Sequence, residues 1–380
     1  MGPLEGIKLL EIAGIGPGPF CAMMLSDMGA DVIRVDRANR VADEFPENRP
    51  MDLLNRGRRS IGVDLKSPEG VETVLRLVEK TDGLLEGFRP GVMERLGLGP
   101  DVCLKRNPGF VYGRMTGWGQ EGPWSQMAGH DINYISIAGA LHPIGHKGER
   151  PVPPLNLVGD FGGGGLMLAF GIVCALIERQ KSGKGQVIDA AMIDGASVLM
   201  TMFHGMTQMG MWVEETGTNL LDTGSHFYDT YECSDGKYIS VGAIEPQFYA
   251  EMLRLSGLDK EKLPGQMNRM AWDDAKETMA KVFKTKTRDE WAEVFDGSDA
   301  CVAPVLTMTE SREHPQMKTR NGYVEVAGIQ HAAPAPRFDR TSAEIQGPPR
   351  WPGEDTETVL SDYGFSVEEI TSLREKGAVK

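Results

Sequence analysis

Apolar and polar positions along this chain fall into short blocks whose lengths alternate between those of a strand and those of a helix. Ile7 to Ile12 reads as a buried strand, Gly14-Ile15-Gly16-Pro17-Gly18-Pro19 as a sharp turn, and Phe20 to Met28 as an apolar helix ended by Gly29. Asp31 to Val35 is a second strand, closed by Asp36 and Arg37. Ser60 to Asp64 is a third. Ser67-Pro68-Glu69 then opens a helix as N-cap, first residue and acidic first turn, and the helix runs to about Lys80. Gly83 to Glu86 and Gly109 to Arg114 are further strands, leading into Gly87-Phe88-Arg89-Pro90-Gly91 and Met115-Thr116-Gly117-Trp118-Gly119. Strand and helix alternating at these lengths predict a parallel sheet covered on both faces by helices. Ligands of such sheets bind beyond the carboxyl ends of the strands. Arg37, Lys66, Arg89 and Met115, each placed just after an expected strand end, are therefore expected to line one rim.

This α/β pattern is Rossmann-like, and an acidic residue lies about 20 residues past the first glycines, as in a dinucleotide-binding motif. That reading fails on two residues. Proline stands at position 19, where a third glycine belongs, and Pro17 and Pro19 lack the backbone N–H groups of a pyrophosphate cradle. Pro19 fits instead as the first residue of the helix. After Asp160 a long apolar helix is expected to run to about Gln180, followed by the strand Gln186 to Ala190 and a second long helix from about Ile193 to Met211. The texture then changes. Tyr228 to Cys233 and Tyr238 to Ala243 flank Ser234-Asp235-Gly236-Lys237, a hairpin signal, with Glu245 just beyond. The expected organisation is a large α/β domain over residues 1–220, a smaller α+β domain over 225–320, and a segment over 325–380. That last segment is a returning arm rich in proline and alanine followed by closing helices, about Glu354 to Leu360 and Val367 to Lys376, that rejoin the large domain.

Composition narrows the function classes. The chain has 380 residues, is 41% hydrophobic and 25% charged, and carries a net charge of −14. That charge disfavours nucleic acid as a partner, and a polyanionic ligand needs locally basic pockets. Five scattered cysteines, Cys21, Cys103, Cys174, Cys233 and Cys301, show neither zinc spacing nor a disulfide framework, so a reducing, cytoplasmic setting and no metal are expected. No leader, peroxisomal address or apolar run of membrane-spanning length is read from the sequence. Met200, Met202, Met206, Met209 and Met211 crowd one expected helix end, either as a plastic core or as a deformable wall for an apolar ligand tail.

The candidate chemistry lies in two turns. His130 stands in Ala128-Gly129-His130-Asp131-Ile132-Asn133-Tyr134, and Asp160 follows Asn156-Leu157-Val158-Gly159 and precedes Phe161 and Gly162 to Gly165. Each turn comes where a helix is about to begin, so both residues also fit as simple helix caps. A histidine and a carboxylate on opposite sides of one carbon, however, are the minimum equipment for removing a proton from one face and delivering one to the other.

The order of motifs resembles the family III CoA-transferase and racemase superfamily. The resemblance rests on Leu9-Leu10-Glu11 with its Gly-Pro turn, Gly29-Ala30-Asp31-Val32-Ile33, and Arg89-Pro90-Gly91 with Arg95-Leu96-Gly97-Leu98. It continues through Gly183-Lys184-Gly185-Gln186 and Tyr231-Glu232-Cys233 as far as Gly242. Within it, Gly129-His130-Asp131, Gly159-Asp160-Phe161 and Ile244-Glu245-Pro246 are similar to the α-methylacyl-CoA racemase branch, particularly the bacterial type. The resemblance implies an interlocked homodimer acting on an acyl-CoA substrate without a separate cofactor, with the active site at the dimer interface. It implies His130 and Asp160 as catalytic residues and Glu245 as their supporting carboxylate. It implies CoA contacts from Arg37, Val63, Asp64, Leu65, Lys66, Gly87, Phe88, Arg89, Arg95 and the Gly129 to Tyr134 segment, with Met115 on the same rim. The least family-like stretch is about 36 to 52.

The implied chemistry is racemisation of a 2-methyl-branched acyl thioester through an enolate. One proton is shared across His130 and Asp160, so the pair titrates as a unit. Protonating an ordinary aspartate at pH 7 costs roughly 4 kcal/mol, which burial in an apolar acyl pocket reduces. Glu245 beside His130 would favour the imidazolium and orient the ring. The enolate oxygen needs a donor, and the backbone N–H of Asp131 at the helix start is placed to offer one. The alternatives are a CoA-transferase with Asp160 as nucleophile and a non-catalytic acyl-CoA binding protein. Against the first, Glu245-Pro246-Gln247-Phe248-Tyr249 carries no glycine run.

Overall fold

The structure, a computed structural model, describes residues 2–258 and 263–380. It divides into two compact units: Met1–Ala138, Leu155–Leu199 and Thr319–Lys380 form the first, and Gly139–Pro154 with Met200–Lys318 the second. The first unit runs β1 (Lys8–Ile12), α1 (Pro17–Asp27), β2 (Asp31–Arg37), β3 (Arg59–Val63), α2 (Pro68–Val78), β4 (Gly83–Glu86), α3 (Val92–Arg95), α4 (Pro100–Arg106) and β5 (Val111–Thr116). It continues with α5 (Asp131–Ile137), a π-helical segment Leu157–Gly165, α6 (Leu166–Ser182), β6 (Gln186–Ala191) and α7 (Met192–Leu199). The six strands are parallel, in the order β3-β2-β1-β4-β5-β6.

Residues alternate between the faces of these strands, and each face builds its own core. Leu10, Ile12, Ile33, Val35, Ile61 and Val63 pack with Val74, Leu77 and Val78 of α2. Leu9, Val32, Leu85 and Val111 pack with Cys21, Ala22 and Leu25 of α1 and with Leu168 and Ile172 of α6. The strand order reverses between β1 and β4. Chains leaving neighbouring strand ends there turn to opposite faces and open a crevice, the usual ligand site of such sheets.

The second unit runs α8 (Thr201–Gln208), β7 (Tyr228–Glu232), β8 (Tyr238–Gly242), α9 (Pro246–Ser256), α10 (Trp272–Phe283), α11 (Arg288–Phe295), β9 (Val302–Pro304), α12 (Met308–Glu313) and α13 (Pro315–Thr319). Its antiparallel sheet, β7-β8-β9, contains the expected hairpin and carries a core that includes Phe227, Tyr231, Trp272, Phe283 and Trp291. The chain then adds β10 (Tyr323–Val326), β11 (Ile329–Ala332), α14 (Thr356–Asp362) and α15 (Val367–Glu375) to the first unit.

Several expectations change. Helix α1 begins at Pro17, not Pro19: Gly16 is its N-cap at φ 70°, and both prolines sit in the first turn, whose N–H groups have no intrahelical acceptor. Met115 lies inside β5 rather than after it. The expected helix from Ile193 to Met211 breaks at Met200, and its halves belong to different units. The boundary therefore falls near residue 200 instead of 220. Residues 139–154 join the second unit, tied there by Thr216 Oγ1 donating to the His142 carbonyl (2.7 Å) and by the Lys147–Asp273 ion pair (2.8 Å). Periodicity within a segment carries no sign of such long-range ties. Met202, Met209 and Met211 are exposed in this unit, which removes them from the core. The returning arm contains the β10–β11 hairpin. The continuous helical stretch Leu157–Ser182, 26 residues, is long and apolar enough by length and composition to cross a membrane, contrary to the reading of the sequence. One side of it packs against β5 and α1 in the first unit.

Candidate active site

A cavity of about 930 Å³ occupies the crevice at the β1–β4 switch point. The turn after β1, the loops after β4 and β5, the start of α5 and the π-helical segment all contribute to its lining, and it holds both His130 and Asp160.

His130 is the N-cap of α5, in extended conformation (φ −134°, ψ 173°). Its backbone N–H donates to Asn133 Oδ1 (3.1 Å), and the Asn133 N–H donates back to the His130 carbonyl (2.8 Å). The exposed imidazole lines the cavity.

Asp160 is not an N-cap. It lies within the π-helical segment, whose wide turn brings its side chain into the cavity and its backbone N–H onto Asp131 Oδ1 (2.7 Å). Asn156 Nδ2 donates to Asp160 Oδ2 (3.1 Å). The glycine run that follows serves close packing. A Cβ on Gly165 would lie 2.6 Å from the Pro17 carbonyl oxygen, and one on Gly195 of α7 only 1.8 Å from that of Gly163. Phe161 stacks on Phe20 of α1 at 4.6 Å. Gly16, in turn, brings the tip of the β1 turn against the carboxylate, since a Cβ there would lie 3.1 Å from Asp160 Oδ2. Burial pushes the Asp160 carboxyl above the ordinary aspartate range. Asp131 adds to this rise, while the Asn156 hydrogen bond and His130 oppose it.

Tyr134 lines the same cavity. Its hydroxyl donates to the Gly129 carbonyl, and its ring meets Trp118 edge to face at 4.8 Å. A Cβ at Gly117 would fall 2.0 Å from the Tyr134 ring, and one at Gly129 2.7 Å from it, so both positions are held to glycine by this ring. Burial pushes the Tyr134 hydroxyl pKa upward.

The cationic residues fall in two groups. Arg37 and Arg89 line the His130/Asp160 cavity together with Met115, Gly87, Phe88, Gly129 and Tyr134. A second cavity, about 1380 Å³, lies over the ends of β2 and β3 and takes in Val63, Asp64, Leu65 and Lys66. Arg37 and Phe88 border both. Arg95, on α3, is exposed and lies outside both linings. Glu245 is an exposed N-cap residue of α9 in the second unit.

Four residues of these cavities escaped the reading of the sequence. Arg40 ends the short 3-10 turn Ala38–Arg40 and lines the first cavity, a position that its spacing from Arg37 would have indicated. Asn156 holds the Asp160 carboxyl, and Arg374 and Lys380 border the second cavity from the far end of the chain. No local signal marks those three. Beneath the Gly87–Pro90 loop, buried Glu86 accepts from the Phe88 N–H (2.6 Å) and from Arg114 Nε (3.2 Å), and burial pushes its carboxyl to about 7. Among the described residues, no group of three or more His, Cys, Asp or Glu side chains is arranged to hold a metal ion.

The model of CoA-transferase family III matches residues 4–356. The alpha-methylacyl-CoA racemase of Mus musculus is 47% identical over 373 residues, covering 97% of this chain and 96% of the mouse protein. That of Homo sapiens is 46% identical over 374 residues, with 97% and 96% covered. The crystal structure of a CAIB/BAIF family protein from Brucella suis matches with a TM-score of 0.82 at 25% identity, covering 95% of this chain and 99% of that one.

Proposed function

This chain belongs to CoA-transferase family III, and from that premise we propose that it is an isomerase interconverting the (R) and (S) forms of 2-methylacyl-CoA thioesters. Relatives covering nearly its whole length are named alpha-methylacyl-CoA racemase. The observation that carries the reading is one cavity lined by both His130 and Asp160, at the switch point of a parallel sheet, where burial raises the carboxyl above the ordinary aspartate range.

In one direction neutral His130 takes the α-proton, the C–H electron pair moves into the thioester carbonyl to form an enolate, and protonated Asp160 delivers a proton to the opposite face. In the other, the Asp160 carboxylate is the base and the imidazolium the acid. Each turnover leaves one proton on the pair, in the reverse arrangement. The enolate oxygen is assigned to the backbone N–H of Asp131, in the first turn of α5, where N–H groups lack intrahelical acceptors. Arg37, Arg40 and Arg89 near the reacting end and Lys66 in the second cavity serve the CoA phosphates. The catalytic unit is proposed to be a homodimer in which the partner subunit's Glu245 supports His130. Five free cysteines support a reducing compartment such as the cytoplasm.

Deuterium wash-in tests the reading. A racemase incorporates solvent deuterium at the α-carbon of either pure enantiomer with no acceptor acid present. Activity that appears only when an acceptor carboxylate is added would instead assign Asp160 as the nucleophile of a CoA-transferase. The dimer is tested by mixing two inactive variants, His130→Ala and Glu245→Ala. Recovery of activity on subunit exchange is expected, and none would place Glu245 outside a shared site.

A further inference from the structure

Asp131 is 5% exposed and sits directly beneath the Asp160 turn. Its Oδ1 accepts the Asp160 N–H, while its Oδ2 is buried with no hydrogen-bond partner among the described residues. A buried carboxylate oxygen without a partner is destabilising, so its retention calls for an explanation. The neighbouring backbone is shaped around it: a Cβ on Gly159 would lie 2.6 Å from Asp131 Oδ1 and 2.9 Å from its Cγ. Glycine at 159 is what allows the carboxylate to reach the Asp160 peptide.

We infer that the Asp131 side chain is the positioning residue of Asp160, holding its backbone in register through the N–H and setting a second negative charge against its carboxyl. This rests on the two-base reading of His130 and Asp160. The like charge makes a proton on Asp160 easier to keep, in the same direction as burial, and so prepares the acid form that the reaction requires. Charged groups on the other elements packed around the π-helical segment are partnered elsewhere or exposed. Asp27 of α1 pairs with Arg56, Arg114 of β5 with Glu86 and Glu94, and Arg179 of α6 with Asp82. Glu178 of α6 accepts from Ser182, Asp189 of β6 from the Gln120 backbone, and the Tyr134 hydroxyl donates to Gly129. Lys181 of α6 and Asp194 of α7 are exposed. The charges that act on the Asp160 carboxyl are thus Asp131 and His130.

The test separates position from charge. Asp131→Asn keeps an oxygen for the Asp160 N–H and leaves the backbone N–H of residue 131 in place, but removes the charge. The acid limb of its kcat/KM profile for α-hydrogen exchange is expected to move to lower pH by about one unit, equally from both enantiomers. At neutral pH its kcat should fall about tenfold with KM nearly unchanged, since one pKa unit is a factor of ten in the population of protonated Asp160. Asp131→Ala, which removes the acceptor too, should lose more kcat. Gly159→Ala displaces the carboxylate without altering residue 131 and should move the limb the same way, so it answers the question if Asp131→Asn does not fold. A racemising wild type whose acid limb is unmoved in the folded variant overturns this inference alone. A wild type that exchanges no α-hydrogen overturns the racemase reading beneath it.

Discussion

In the proposed role of acid and base, Asp160 sets function against stability. Its carboxyl is raised in the folded protein mainly by burial, so the folded state holds the proton more tightly than the unfolded one. Stability from such a group is present below the unfolded pKa and is lost as pH rises through the folded pKa, leaving a penalty at neutral pH. Asp160→Asn retains an oxygen for Asn156 but carries no charge. It is expected to lower exchange at least about a hundredfold, as loss of a general acid–base group does. It should also raise Tm at neutral pH, a gain that shrinks as the buffer is taken down through the native carboxyl's range. Thermal unfolding of both proteins across pH checks this, and an unchanged or lowered Tm at pH 7 contradicts it. Arg89 poses a different question, because it touches the cavity from an exposed loop. Arg89→Ala should raise KM for the acyl-CoA with kcat little altered, the pattern of uniform binding lost from ground and transition states alike. Steady-state kinetics that show kcat collapsing at constant KM would move Arg89 into the chemistry.

Among the elements, the π-helical segment has the largest consequence for the site. It reaches α1 and α7 through glycines, and Gly195 of α7 meets the Gly163 carbonyl so closely that no side chain fits. Gly195→Ala should force the segment away and lower stability by about 1–3 kcal/mol, the usual cost of overpacking. Denaturant titration reads that loss. The same shift moves Asp160, so exchange should fall in the variant even where it is fully folded. The helix start at α2 makes a contrast. Ser67 accepts the Gly70 N–H (3.0 Å) at a position outside the His130/Asp160 cavity. Ser67→Ala should cost about 1 kcal/mol and leave exchange kinetics unchanged.

At the scale of the whole molecule, a chain of net charge −14 presents Arg37, Arg40, Arg89, Lys66, Arg374 and Lys380 around two cavities that share a border. Fields from exposed charges are screened within about 8 Å at physiological ionic strength. KM for the acyl-CoA is therefore expected to rise with added salt while kcat holds, as measured with a salt that does not bind the site. A KM insensitive to salt would mean that the phosphates are held by buried or backbone groups instead.

The alternation of short apolar runs was enough to read the parallel sheet, the hairpin Tyr228 to Gly242 and the Ser67-Pro68 helix start, because each follows from contacts within one element and its neighbours in sequence. His130 and Asp160 could be picked out as candidates by residue type and turn context. What their sequence context could not decide was that they share a cavity, since that depends on α5 and the π-helical segment both turning toward the switch point between β1 and β4. The π turn itself escaped notice: the glycines after Asp160 read as a turn where a helix is about to begin, whereas their spacing answers to the carbonyls of Pro17 and Gly163. Asn156, Asp131 Oδ1 and the break at Met200 were hidden for the same reason. Local periodicity reports which face of an element is buried, and only the folded chain decides which residues from distant elements meet there.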